Sequence, residues 1–236
     1  MGNAASEAVS STAHSPERVG ILGGMFNPPH LGHLALAHAA ASDLGLSRVL
    51  LTPVLIPPHK PAGQDPGAEH RLRMCRLAVR DDPRVGVCTL ELQRPGPSYT
   101  VDTLRSIHAG DPDAELTLIV GADVARTLGS WREPREILKL ARLAVAERDG
   151  VSRGEVLDAL LPVAPDAVSG VEGGTVFVGM SPREVSSSMV RERVVQGVPI
   201  DELVSAEVDA YIAQNELYRT QTPASGTVQE PLRELA

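Results

Sequence analysis

The chain has 236 residues, a formal net charge of -8 and two cysteines. This length supports one α/β domain with a sizeable core. The acidic balance and the lack of a large basic block argue against a nucleic-acid partner, because phosphate-backbone contacts need clustered Lys and Arg. No apolar run is long enough to span a bilayer, and residues 1–17 contain no secretory signal. Cys75 and Cys88 lack metal-ligand spacing and read as buried free thiols in a reducing cytoplasm.

In chain order, the short apolar run Val19-Gly20-Ile21-Leu22 reads as a buried strand. Gly23-Gly24-Met25-Phe26-Asn27-Pro28-Pro29-His30-Leu31-Gly32-His33 follows it, and residues 31–44 read as a helix. Gly23 and Gly24 therefore fall where the first strand gives way to the first helix. There the backbone can approach a ligand, and the helix start presents N–H groups to anions. His30 and His33, three apart, can face one bound group and donate to phosphate oxygens.

Residues 48–55 read as the second strand, ending in the rigid segment Ile56-Pro57-Pro58-His59-Lys60-Pro61. Lys60 is a pre-positioned ammonium for an anionic group, and His59 is a weaker candidate. Residues 69–80 read as a helix, 85–92 as a strand and 100–108 as a helix. Ser98 or Thr100 is expected as an N-cap, and the same helix start can bind a carboxylate. Residues 116–120 form the clearest buried strand and lead to Gly121-Ala122-Asp123. The Asp123 carboxylate suits a ribose or base, or an N-cap.

Trp131, the only tryptophan, lies in the polar stretch Gly129-Ser130-Trp131-Arg132-Glu133-Pro134. It suits stacking on a heteroaromatic ligand, with core packing as the alternative. Residues 134–140 read as a helix and 143–146 as a strand. A short helix is expected over 156–161, within an otherwise loop-like stretch from 151 to 174, and a last strand over 175–178. Residues 187–196 and 204–215 have helical spacing. Ser187 and Arg191 share one helix face near its start, where hydroxyl and N–H groups can hold phosphate.

The alternation predicts a Rossmann-like parallel sheet with helices on both faces and a helical C-terminal portion. His30, His33, Lys60, Ser98, Thr100 and Asp123 all follow strand ends, as one composite site requires.

The first motif resembles the H-x-G-H signature of nucleotidyltransferases. From about residue 19 to 219 the whole set is similar to the bacterial nicotinate-nucleotide adenylyltransferases. Besides the motif, the resemblance rests on Pro57-Pro58-His59-Lys60, residues 98–104, Gly121-Ala122-Asp123 with Trp131, residues 185–191 and the ending 208–218. It implies a nucleotidyltransferase domain over 18–219, while the polar composition of the two ends reads as a disordered tail over 1–17 and a flexible tail over 220–236. It also implies transfer of AMP from ATP to nicotinic acid mononucleotide, giving deamido-NAD and pyrophosphate. The attack is in line by the acceptor phosphate, with no covalent enzyme intermediate.

The resemblance makes His30, His33 and Arg191 the catalytic set. Gly23, Gly24, Met25, Phe26, Asp123 and Ser187 join them around ATP. Lys60, Thr100, Trp131 and Arg132 surround the acceptor, Thr100 and Arg132 through main-chain N–H groups. Mg²⁺ is expected on the ATP phosphates, with no metal site of protein ligands. Met25 departs from the family, which usually has Ser or Thr there, and Glu147-Arg148-Asp149-Gly150 departs from its usual Arg-Pro-Gly turn. Alternative readings are an adenylyltransferase for nicotinamide mononucleotide or phosphopantetheine, or a non-catalytic nucleotide-binding regulator. The sequence leaves oligomeric state open, a homo-oligomer included.

Overall fold

The computed structural model describes residues 15–56, 64–147, 150–168, 174–179 and 185–219. The strands are β1 (Arg18–Gly24), β2 (Arg48–Pro53), β3 (Val85–Val87), β4 (Glu115–Gly121), β5 (Ala141–Ala146) and β6 (Val176–Val178). They form one parallel sheet in the order β3-β2-β1-β4-β5-β6. The order reverses between β1 and β4, so their carboxyl ends flank the switch-point crevice where such sheets bind ligands. Around the sheet lie helices α1 (Leu31–Asp43), α2 (Ala68–Ala78), α3 (Leu90–Gln93), α4 (Thr100–Gly110), α5 (Ala122–Ala125), α6 (Pro134–Leu140), α7 (Arg153–Leu160) and α8 (Pro165–Val168). Two more, α9 (Ser187–Gln196) and α10 (Ala206–Gln214), form the C-terminal portion.

Period-two alternation along the strands sorts their side chains to the two faces. Val19 and Ile21 of β1, Leu118 and Val120 of β4 and Leu143 and Val145 of β5 pack with Leu104, Ile137 and Leu160 on one face. Leu22, Ile119 and Ala144 pack with Ala37, Ala40, Ala41 and Cys75 on the other. A third cluster joins Met74 and Leu77 of α2 to Val190 of α9 and Val208 and Ile212 of α10. It fastens the C-terminal helices beside the crevice. Both cysteines are buried free thiols, and burial pushes the Cys75 pKa up to about 12.

Four expectations need correction. The strand expected over 85–92 ends at Val87, and Leu90–Gln93 is a helical turn. Its four residues are good helix formers. The turn also lets buried Glu91 accept a hydrogen bond from the Thr103 hydroxyl of α4 at 2.9 Å. The helix placed at 156–161 starts earlier, at Arg153, because Ser152 and Glu155 form a capping box. Part of the expected loop after it is the helical turn Pro165–Val168. Finally, neither Ser98 nor Thr100 caps α4. Tyr99 occupies the N-cap position with no side-chain hydrogen bond, and Thr100 is the first helical residue.

Candidate active site

Two groups of side chains meet at the carboxyl edge of the sheet. The first surrounds the turn from β1 into α1. Gly23 is exposed, and a Cβ there would meet nothing within 4 Å, so open space lies against the backbone. At Gly24 a Cβ would touch the Phe26 ring at 3.3 Å. Phe26 itself is buried, with a positive φ of 47°.

His30 and His33 stack with ring centroids 3.6 Å apart, and His33 meets the edge of Phe26 at 4.9 Å. The His30 backbone N–H donates to His33 Nδ1 at 3.1 Å. An accepting Nδ1 places the neutral ring's proton on Nε2, which makes that nitrogen a donor. Gly32 lies tight between these parts: a Cβ there would sit 2.8 Å from Val185 and 3.0 Å from His30 Nδ1.

The start of α9 closes on the same turn. Ser186 caps the helix by accepting the Met189 N–H at 3.1 Å. That frees Ser187 to face the glycine turn, where its hydroxyl donates to the Pro28 carbonyl at 2.8 Å. Arg191 donates to the Asn27 carbonyl at 2.7 Å and to Ser188 Oγ at 3.1 Å. Residues some 160 positions apart in the chain thus meet at one loop.

The second group surrounds the start of α4. Its first N–H groups have no side-chain cap, so they remain suited to an anion. Trp131 and Tyr99 are both half-buried against the same core cluster, and the Trp131 Nε1–H donates to Thr127 Oγ1 at 3.1 Å. The Arg132 guanidinium lies 4.8 Å from the Tyr99 ring centroid and pairs with Asp102 at 3.6 Å and Glu133 at 3.7 Å. Two carboxylates therefore occupy its charge, and the backbone is what Arg132 has to offer a ligand.

Ser98 ties this group to the end of β2. Its hydroxyl accepts the Leu55 N–H at 3.1 Å, and its own N–H donates to the Ile56 carbonyl at 3.0 Å. Asp123 is exposed on α5, directly after β4. Gly121, rather than Asp123, is the N-cap of that helix. Lys60, His59 and Arg148 lie outside the described residues.

Two further side chains, Arg71 and Asn27, act as hydrogen-bonding hubs at this edge. Arg71 of α2 is 1% exposed. Its Nε donates to Asp65 at 3.0 Å, and its Nη atoms donate to the carbonyls of Met25 at 3.1 Å, Val54 at 2.7 Å and Leu55 at 3.3 Å. Asn27 is a second hub. Its amide donates to the Gln64 carbonyl at 3.1 Å, and its Oδ1 accepts the Tyr218 hydroxyl at 2.6 Å. Burial pushes the Tyr218 phenol well above its ordinary range, so it donates there as the neutral group. Burial likewise raises the Glu91 carboxyl.

A cytidylyltransferase-like family model matches residues 21–193. A probable nicotinate-nucleotide adenylyltransferase of Geobacillus thermodenitrificans (strain NG80-2) is 38% identical over 205 residues, covering 87% of this chain and 88% of the relative. The chain belongs to the nicotinate-nucleotide adenylyltransferase family. Another member of that family, from Herpetosiphon aurantiacus, is 39% identical over 204 residues, covering 86% of this chain and 98% of its own. The fold agrees with a Plasmodium falciparum nicotinic acid mononucleotide adenylyltransferase complexed with NaAD, at a TM-score of 0.69 and 15% identity, over 86% of this chain and 97% of that one. It also agrees with a putative nicotinate-nucleotide adenylyltransferase from Vibrio parahaemolyticus, at a TM-score of 0.61 and 18% identity, over 87% and 98%. Members of this family are nucleotidyltransferases, and the Rossmann-like sheet is the frame on which this member carries its site.

Proposed function

We propose that the chain transfers AMP from ATP to nicotinic acid mononucleotide in NAD biosynthesis, in the cytoplasm, with the β1–α1 turn holding the triphosphate and the start of α4 holding the acceptor ring. An oxygen of the acceptor phosphate forms a bond to the ATP α-phosphorus. The bond from that phosphorus to the bridging oxygen breaks in line, and pyrophosphate leaves with the electron pair. No enzyme nucleophile takes part. The protein's work is to position two anions that repel each other and to stabilise charge on the transferring group.

The stacked His30–His33 pair carries this reading. Its backbone hydrogen bond makes His33 Nε2 a fixed donor at a glycine-lined helix start, where phosphate oxygens are well received. Backbone N–H groups of Gly24 to Phe26 add further donors. Ser187 and Arg191 turn from the Pro28 and Asn27 carbonyls to the β/γ end of ATP, and Asp123 contacts the nucleotide. The acceptor's carboxylate takes the main-chain N–H groups of Thr100 and Arg132. Trp131 stacks on its ring, and Lys60 meets its anionic groups.

Among the described residues no three His, Cys, Asp or Glu side chains gather to hold a metal ion. The donors around the turn are imidazole, hydroxyl, guanidinium and N–H, a set that suits phosphate. Mg²⁺ would enter this site with the triphosphate and would supply neutralisation of its charge. Among the described residues no helix is long and apolar enough to cross a membrane.

The test is pyrophosphate release with ATP and each candidate acceptor, with the dinucleotide product identified by mass. Release with nicotinic acid mononucleotide and formation of deamido-NAD support the reading. Release only with nicotinamide mononucleotide or phosphopantetheine replaces the acceptor, and ATP binding without release leaves a nucleotide-binding regulator.

A further inference from the structure

Arg71 is a fully buried guanidinium, so it reaches the candidate site only through the backbone carbonyls it holds. A hydrophobic residue of similar volume commonly packs as well as a buried charge, so stability alone does not call for an arginine here. What distinguishes Arg71 is the identity of its acceptors. The Met25 carbonyl belongs to the glycine turn, and the Val54 and Leu55 carbonyls belong to the segment that leaves β2. Asp65, itself held by the Gly67 N–H at 2.9 Å, fixes the other side of the guanidinium. One planar fork therefore joins two loops at the carboxyl edge of the sheet.

A trans peptide is planar, with its C=O and N–H on opposite sides. The Val54–Leu55 peptide shows the consequence: its carbonyl accepts from Arg71, and its N–H donates away from Arg71 to Ser98 Oγ. The Met25–Phe26 peptide has the same anchor. With the Met25 carbonyl turned to Arg71, the Phe26 N–H is turned away from α2. Phe26 holds a positive φ of 47°, a backbone state that side-chain-bearing residues keep only where their surroundings impose it. Its buried ring is one constraint, and Arg71 supplies the other.

We propose that Arg71 is a positioning residue for ATP: by holding the Met25 carbonyl it aims the Phe26 N–H at the triphosphate. The inference rests on the reading that backbone N–H groups of this turn bind ATP phosphates. It explains how the turn works with Met25 where a hydroxyl residue is usual, because the aimed backbone donor replaces the side-chain one.

The test compares the wild-type chain with Arg71→Met, which removes the fork, and Arg71→Lys, which keeps charge but reaches fewer carbonyls. ATP and acceptor are varied separately, and thermal melting confirms that each variant is folded. The expected KM for ATP rises by about tenfold or more in Arg71→Met, the loss of one hydrogen bond to a charged oxygen. Arg71→Lys falls between, and the acceptor KM stays near wild type. A folded Arg71→Met with wild-type KM for ATP overturns the role. So does an equal rise in both KM values, which marks a general structural loss. If Arg71→Met does not fold, Arg71→Lys decides, and an unchanged ATP KM there overturns the role. If the wild-type chain releases no pyrophosphate with any acceptor, the functional reading fails on its own. Calorimetry with a non-hydrolysable ATP analogue then decides Arg71: weaker binding by Arg71→Lys than by wild type supports the role, and equal Kd values overturn it.

Discussion

Substituting Gly32 by alanine adds one methyl group at the tightest point of the candidate site. Its Cβ would sit 2.8 Å from Val185 Cγ1, 3.0 Å from His30 Nδ1 and 3.1 Å from His30 Cε1. Carbon atoms rest at about 3.5–4.0 Å, so Val185 and the His30 ring must both give way. His30 cannot retreat toward His33, because their centroids are already 3.6 Å apart. Overpacking of this kind costs about 1–3 kcal/mol, while alanine in place of glycine in a helix returns about 0.5–1 kcal/mol. The net loss is at most about 2.5 kcal/mol. For a chain of this size that lowers Tm by at most about 10 °C.

The effect on turnover is larger, since a displacement of about 1 Å at a reacting centre costs about 10²-fold. Pyrophosphate release and thermal melting on the same sample measure both quantities. Adding Val185→Ala separates them: the second substitution relieves the contact with Val185 and restores part of the stability, but leaves the contact with His30. Activity should therefore stay low in the double variant. A folded Gly32→Ala with near-wild-type kcat/KM refutes the claim that this glycine shapes the histidine pair.

The other expected outcomes address separate parts of the site. His33→Ala should lower kcat by about 10²-fold with a normal melting temperature, as for loss of one transition-state donor; near-normal turnover contradicts the role given to Nε2. Trp131→Ala should raise the KM for nicotinic acid mononucleotide by about five- to tenfold. Arg132→Ala, which keeps the backbone donor, should preserve the preference for the acid over the amide, and steady-state kinetics on the two acceptors checks both variants. Burial raises the Glu91 carboxyl above its ordinary value of 4.5. A raised acid binds its proton more tightly when folded, so its stabilising contribution is present below that value and is lost as pH rises through the folded pKa. Glu91→Gln should therefore be at least as stable as wild type at neutral pH, with the gap closing below pH 4.5. A melting series in which Gln becomes steadily worse as pH rises contradicts this.

The parallel sheet was legible because its strands are short apolar runs separated by helical spacing. The order of the strands was not, since nothing local to β3 or β6 states which neighbour it joins. Residues 85–92 misled because Val85, Val87, Leu90 and Leu92 fit an extended apolar pattern, while the tertiary hydrogen bond from Thr103 to Glu91 favours a helical turn. His30, His33, Ser187 and Arg191 were readable from residue type and position at helix starts. Arg71 looked like one more cation on a helix that also carries Arg73 and Arg76. A signal was present, because Arg71 shares its helix face with buried Met74 and Cys75. The carbonyls it holds, however, come from segments 16 to 46 residues away, and no local pattern announces them. The Tyr218–Asn27 hydrogen bond spans 191 positions and was hidden for the same reason.

The most direct test of the central claim is kcat/KM for ATP-dependent adenylylation of nicotinic acid mononucleotide beside the same constant for nicotinamide mononucleotide. The two acceptors differ by a carboxylate against a neutral carboxamide. An uncapped helix start beside Trp131 favours the anion, because charge-assisted hydrogen bonds are about twice as strong as neutral ones. The acid should be clearly preferred, and the preference should persist in Arg132→Ala. Equal constants, or a preference for the amide, would contradict the assignment of the acceptor site.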